Sequence, residues 1–147
     1  DNVEKDEKNQ FILKEENQPP AIGDWTEKGY PFYSGKMIYK NTFNLEQDYD
    51  RLVCELEELW GVVFKVKVNG KEVKILGWEP YEVDISSLIK KGQNFIEIEV
   101  MNSLQNLLGP HNHMEIEGLV TPGSFYSEKQ EKFIKSGFNG NMKIKAY

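Results

Sequence analysis

One cysteine, Cys54, stands in the whole 147-residue sequence. It can form neither an intrachain disulfide nor a thiolate metal cluster. It lies in RLVCELE, where Leu52, Cys54 and Leu56 alternate with Val53, Glu55 and Glu57, so it reads as a small apolar core residue rather than a nucleophile. The lone thiol leans towards an intracellular chain. Long apolar runs are missing too, so no segment is expected to cross a bilayer and no membrane partner is expected. Nor is there an excess of positive charge. The net charge is −6 and the lysines are scattered through alternating segments, without a basic patch, which argues against nucleic acid as a partner. The nucleophile elbow Gly-x-Ser-x-Gly, a Ser–His–acid triad spacing and phosphate-cradling glycine loops are all lacking.

What is there is a two-faced hairpin. In FKVKVNGKEVKI, Phe64 to Ile75, two alternating runs flank Asn69-Gly70, the pair that best tolerates the positive φ angles of a type I′ turn. A two-residue loop predicts the register Val68–Lys71, Lys67–Glu72, Val66–Val73 and Phe64–Ile75. Phe64, Val66, Val73 and Ile75 then share the core face, and Lys67 and Glu72 form a cross-strand charge pair on the wet face. A lone hairpin is marginal in water, so it must belong to a larger sheet.

Residues 1–10 carry a single apolar residue and are expected to be an unstructured tail, with residues 11–147 forming one domain. Asp1 is not a natural start, and the sequence is expected to be a piece of a longer chain. Strands are expected at Phe11–Lys14, Lys36–Phe43, Arg51–Leu56, Glu82–Ile85, Phe95–Val100 and Met142–Tyr147. Pro19-Pro20 marks a connector. Ser86 to Lys90 fits a short helical turn capped by Asp84 or Ser86 and stopped by Gly92. Ile96, Ile98 and Val100 face one way. Glu97 and Glu99, like Glu55 and Glu57, read as solvated strand faces rather than a catalytic pair. The stretch Met101–Ser136 is too long for an idle connection. Several short strands with almost no helix make this an all-β protein, an antiparallel β-sandwich of jelly-roll type.

Two stretches carry a resemblance. GDWTEKGYPFYSGKMIYKNTF (Gly23–Phe43) is similar to the entry loop and strand of galactose-binding-like β-sandwich domains attached to glycoside hydrolases. VKVNGKEVKILGWEPYEVDISSLIKKGQNFIEIEVMNSLQNLL resembles their central portion. The ordered elements are Val68-Asn69-Gly70, Trp78-Glu79-Pro80-Tyr81, Asp84-Ile85-Ser86, the Lys90–Asn94 turn and Asn102, and the resemblance covers Phe11 to Leu108. It is nearest to the sugar-binding domains of glycoside hydrolase family 2 and to terminal domains of α-L-rhamnosidase-like enzymes. It implies a non-catalytic, carbohydrate-binding accessory domain, with the catalytic domain of the parent chain as partner. The alternative is a structural domain that packs on that catalytic domain and has no sugar affinity of its own.

Sugars present flat C–H faces to aromatic rings, so loop aromatics are the candidates for binding: Trp78 and Tyr81 first, then Trp60 and Trp25. Each also admits a packing role, since tryptophan is mostly buried. Tyr30-Pro31-Phe32-Tyr33 reads as a plug under the sandwich. His111 belongs to a loop, Gly109 to His113, that could hydrogen-bond a sugar or meet a catalytic domain. His111 and His113, with Glu115 or Glu117, have the spacing of a partial metal site that nothing else completes. Such sandwiches often hold a structural calcium. Asp48, Asp50 and Asp84 are the available oxygen ligands, but no acidic loop has ligand spacing, so no metal or other cofactor is expected.

Overall fold

The computed structural model describes residues 3–5, 11–13, 22–109 and 133–147. In chain order the strands are β1 (Val3–Lys5), β2 (Phe11–Leu13), β3 (Gly23–Asp24), β4 (Lys36–Leu45), β5 (Leu52–Leu56) and β6 (Leu59–Trp60). They continue with β7 (Val63–Val68), β8 (Lys71–Leu76), β9 (Glu82–Asp84), β10 (Gly92–Met101), β11 (Gly137–Phe138) and β12 (Met142–Ala146). A 3-10 turn spans Ser86–Leu88 and a short helix, α1, spans Gln105–Leu108. Within the segment expected to be a tail, Val3–Lys5 pairs antiparallel with Phe11–Leu13.

The larger sheet has the order β4-β10-β7-β8, and a second sheet the order β12-β5-β9, with every pairing antiparallel. Strand β10 organises the first sheet, pairing along its full length with β4 and from Ile96 to Met101 with β7. Its Ile96, Ile98 and Val100 are buried as the alternation predicts. They share one apolar cluster with Phe64, Val66 and Val68 of β7 and with Leu52, Cys54, Leu56 and Val83 of the opposing sheet. That cluster is the filling of a β-sandwich, with Cys54 inside it as a small apolar residue. Strands β3, β11 and β6 form a third small sheet. Two residues carry no periodicity, so sequence patterning gives no sign of them.

The hairpin keeps its turn and changes its register. Asn69 and Gly70 have φ of 49° and 81°, as a type I′ turn requires. Val68–Lys71 and Lys67–Glu72 pair as expected, but Val66 then faces Lys74 and Phe64 faces Leu76, because a bulge intervenes. Val73 is the extra residue on β8, an edge strand, where bulges concentrate. The bulge lets Val73 and Leu76, three residues apart, both reach the core, and it turns Ile75 outward to 55% exposure. The charge pair is diagonal: Glu72 meets Lys65 Nζ at 3.2 Å.

Glu99 also departs from expectation. It is only 8% exposed and pairs with Lys36 Nζ at 3.6 Å. As a residue of an inner strand, it is flanked on both sides, by Ile38 of β4 and Lys65 of β7. Glu97 is the more open of the two, paired with Lys40 at 3.3 Å.

Three asparagines fasten the loops. Asn69 Oδ1 accepts from Phe95 N (2.9 Å), and its Nδ2 donates to Leu88 O (2.7 Å) and Asn94 Oδ1 (2.9 Å). Fully buried Asn94 donates to Lys90 O and Gly92 O, closing the turn before β10. Asn102 accepts from Gly35 N and donates to Tyr33 O, tying the aromatic entry loop to the end of β10. Each buried amide is satisfied, as burial demands.

Candidate functional site

The loop joining β8 to β9 is held at both ends. Leu76 and Val83 are buried, and Tyr81 packs edge-on against Phe64 with ring centroids 5.2 Å apart. Between these anchors Trp78 stands 81% exposed. Its ring borders an open cleft of about 690 Å³, walled by Glu79 and Pro80 of the loop, Lys74 of β8, Arg51 and Glu82. Asp84 closes the far side. A flat apolar platform beside polar side chains is the arrangement that sugar recognition needs.

The polar wall is ordered by its own contacts. Ser86 Oγ and Ser86 N donate to Asp84 Oδ1 at 2.6 and 3.1 Å, while Arg51 Nε meets Asp84 Oδ2 at 3.3 Å. The Ser86 bonds, with the Arg51 charge behind them, hold the Asp84 carboxyl below the usual range. The expected cap by Asp84 or Ser86 is not formed: the N-cap position is Ile85, without a side-chain bond, and Asp84 accepts from Ser86 instead. Arg51 also lies 5.2 Å over the Tyr147 ring. Lys74 Nζ donates to Glu82 O at 3.2 Å. Behind the cleft, Lys145 bonds Glu55 at 2.8 Å, lowering the Glu55 carboxyl and raising the Lys145 ammonium.

These shifts bear on chemistry. A glycosidic general acid is a carboxyl held protonated by a raised pKa. Glu55 and Asp84 are shifted the other way. Burial pushes the Cys54 thiol up to about 12, which removes it as a nucleophile.

The remaining candidates separate cleanly. Trp25 is fully buried and donates from Nε1 to Tyr39 Oη at 2.6 Å, so it packs and cannot stack on a ligand. Tyr81 is half-buried on Phe64. Trp60, half-buried in β6, lies under Lys135 Nζ at 5.1 Å and lines no part of the Trp78 cleft. His111 and His113, with Glu115 and Glu117, lie outside the described residues. Tyr30 and Tyr33 pack on the core, and Tyr33 meets Trp25 edge-on at 5.6 Å, as a plug should. Asp48 and Asp50 are exposed, and among the described residues no three His, Cys, Asp or Glu side chains converge on a metal. Arg51, Lys74, Glu79 and Glu82 were not singled out from sequence. Their only signal was charge, on β8 and β9 for Lys74 and Glu82 and in the flanking loops for Arg51 and Glu79, which any solvated surface shares.

No family model matches the chain. It is 31% identical over 144 residues to the "Putative beta-glucuronidase" of Formosa agariphila, an alignment that takes in 80% of this chain and 12% of that protein. The rhamnosidase from Novosphingobium sp. PP1Y has a similar structure, with TM-score 0.59 and 27% identity over 77% of this chain and 11% of that one. The b-glucuronidase from Ruminococcus gnavus in complex with D-glucuronic acid shares the fold, with TM-score 0.51 at 17% identity over 77% of this chain and 20% of that one. The chain is an antiparallel β-sandwich similar to small parts of glycoside hydrolases. Its particular likeness is to β-glucuronidases and rhamnosidases, of which it spans only a small part.

Proposed function

We propose that this sandwich is a non-catalytic accessory domain of a glycoside hydrolase and that it binds carbohydrate, with Trp78 stacking on a sugar face. The observation that carries the reading is the exposure of Trp78 at the rim of a polar cleft, while Trp25, Trp60 and Tyr81 all have packing partners. The likeness to small parts of named glycosidases supports the accessory role. In a glycan array followed by calorimetry on the best ligand, Trp78→Ala should lose about 2 kcal/mol or more of binding, as buried aromatic anchors do. Its unfolding midpoint should barely move, since the ring is outside the core. Absence of binding to every glycan would overturn the reading, and hydrolysis of aryl-glycosides by the purified chain would overturn its non-catalytic part.

A second reading, a structural domain packed on the catalytic part of a longer chain, draws on a different feature. Leu104, Leu107, Leu108 and Ile134 are all exposed. They are held together because Asn106 bonds both Ile134 N (2.9 Å) and Ile134 O (2.7 Å). Such a cluster suits burial against another body. Association with a separately expressed catalytic domain, lost on Leu107→Ser, is the corresponding test.

A further inference from the structure

The cleft beside Trp78 continues past Pro80 into a second one of about 500 Å³, the two sharing Glu79, Pro80 and Glu82 as a common ridge. Carboxylates outnumber cations along this path. The second cleft is lined by Glu55, Glu57, Glu58, Glu79 and Glu82, with neither lysine nor arginine among its lining residues. Lys143 of β12 pairs with Glu57, and Lys145 pairs with Glu55 and, at 4.0 Å, with Glu82, so these three are compensated. Glu58 is met only by the neutral amides of Asn139 and Asn141, and Glu79 makes no ion pair among the described residues. In the first cleft Arg51 pairs with Asp84, and Lys74 donates to the Glu82 carbonyl, so Glu79 is the carboxylate there without an ion pair among the described residues. A groove whose walls carry an excess of one sign of charge disfavours ligands of that sign, and like charges brought together discriminate between partners.

From this we infer that the groove selects uncharged carbohydrate and rejects uronates and other anionic sugars. Trp78 supplies the stacking face, and the Glu79 and Glu82 carboxylates are acceptors for sugar hydroxyls, a role that a second carboxylate on the ligand would oppose. The inference rests on the carbohydrate-binding reading above. It also runs against what the names of the β-glucuronidase relatives would suggest for this chain.

The test is calorimetric titration of the whole chain, its Trp78→Ala variant and its Glu79→Lys variant. The probes are two panels at low salt: neutral gluco-, galacto-, manno-, xylo- and rhamno-oligosaccharides, and oligogalacturonides with oligoglucuronides. The expected result is binding to at least one neutral probe, lost in Trp78→Ala, with uronides bound at least about tenfold more weakly and regained by about that factor in Glu79→Lys. Uronides bound as tightly as neutral sugars, in a manner that needs Trp78, would overturn the inference and leave the carbohydrate-binding reading standing. Uronides still refused by Glu79→Lys would overturn its electrostatic basis. No binding from either panel, or binding indifferent to Trp78, would overturn the carbohydrate reading itself.

Discussion

Trp25 Nε1 donates to Tyr39 Oη at 2.6 Å, and this single bond joins the entry loop to the inner face of β4. Trp25 is fully buried, Tyr39 meets Phe138 edge-on at 5.4 Å, and burial raises the Tyr39 phenol above its usual pKa. Tyr39→Phe keeps the ring but leaves the indole N–H buried without an acceptor, a loss of about 1–3 kcal/mol. Trp25→Ala empties the site as well and should lose about 3–5 kcal/mol. Urea unfolding measures both. An unchanged midpoint for Tyr39→Phe would show that the hydrogen bond contributes nothing.

Gly137 is the reason Trp25 can sit so deep. Its φ is +137°, and a Cβ there would lie 2.2 Å from Gly23 O and 3.0 Å from Trp25 Cδ1. Gly70 also has positive φ, +81°, but a Cβ there meets nothing within 4 Å. The two glycines therefore separate conformational strain from collision. Gly70→Ala should lose about 1–2 kcal/mol from left-handed backbone alone, and Gly70→Val somewhat more because the branched side chain is stiffer. Gly137→Ala should lose clearly more than Gly70→Ala, because backbone cannot retreat as a flexible side chain does. Equal losses would place the strain in φ at both sites and contradict the close approach.

The bulge in β8 makes an equally direct prediction. A strict two-residue hairpin would bury Ile75, whereas the bulged one buries Leu76 and leaves Ile75 at 55% exposure. Leu76→Ala should lose about 2–5 kcal/mol as a core truncation. Ile75→Thr should stay within about 0.5 kcal/mol, as at other surface sites. The reverse ranking would restore the unbulged register.

Much of the scaffold was legible because it is periodic or turn-coded. The alternation of Ile96, Ile98 and Val100 and the Asn69-Gly70 turn both mean what they say. The asparagines at 69, 94 and 102 mark the ordered pattern because each closes a loop with several hydrogen bonds. The bulge was illegible, since choosing between Ile75 and Leu76 needs the opposing sheet. Glu99 looked solvated because alternation shows which side a residue faces, not how far the strands on either side bury it. Trp25 and Trp78 are the instructive pair. Both sit in loops near glycine, and the proline-flanked loop position that ranks Trp78 first does not report burial. The difference is tertiary: Gly137 and Tyr39 close over Trp25, while Trp78 stands exposed.

Cys54 should reveal its burial through pH. Burial pushes the thiol to about 12, above its ordinary 9.0, so the folded chain keeps a proton that the unfolded chain has released. The stability this confers is complete below pH 9 and is lost as pH rises towards 12, with a slope of about 1.4 kcal/mol per pH unit. Tyr39, raised in the same direction by burial, adds its own alkaline loss, so the diagnostic quantity is the difference between the native chain and Cys54→Ala. At pH 7 the variant should be the less stable, having lost buried atoms from the core. Above pH 9 the gap should narrow steadily as only the native chain bears the thiol term. Urea unfolding at intervals from pH 7 to 11 measures it, and a gap that stays constant across that range would mean that Cys54 is solvated enough to ionise in place.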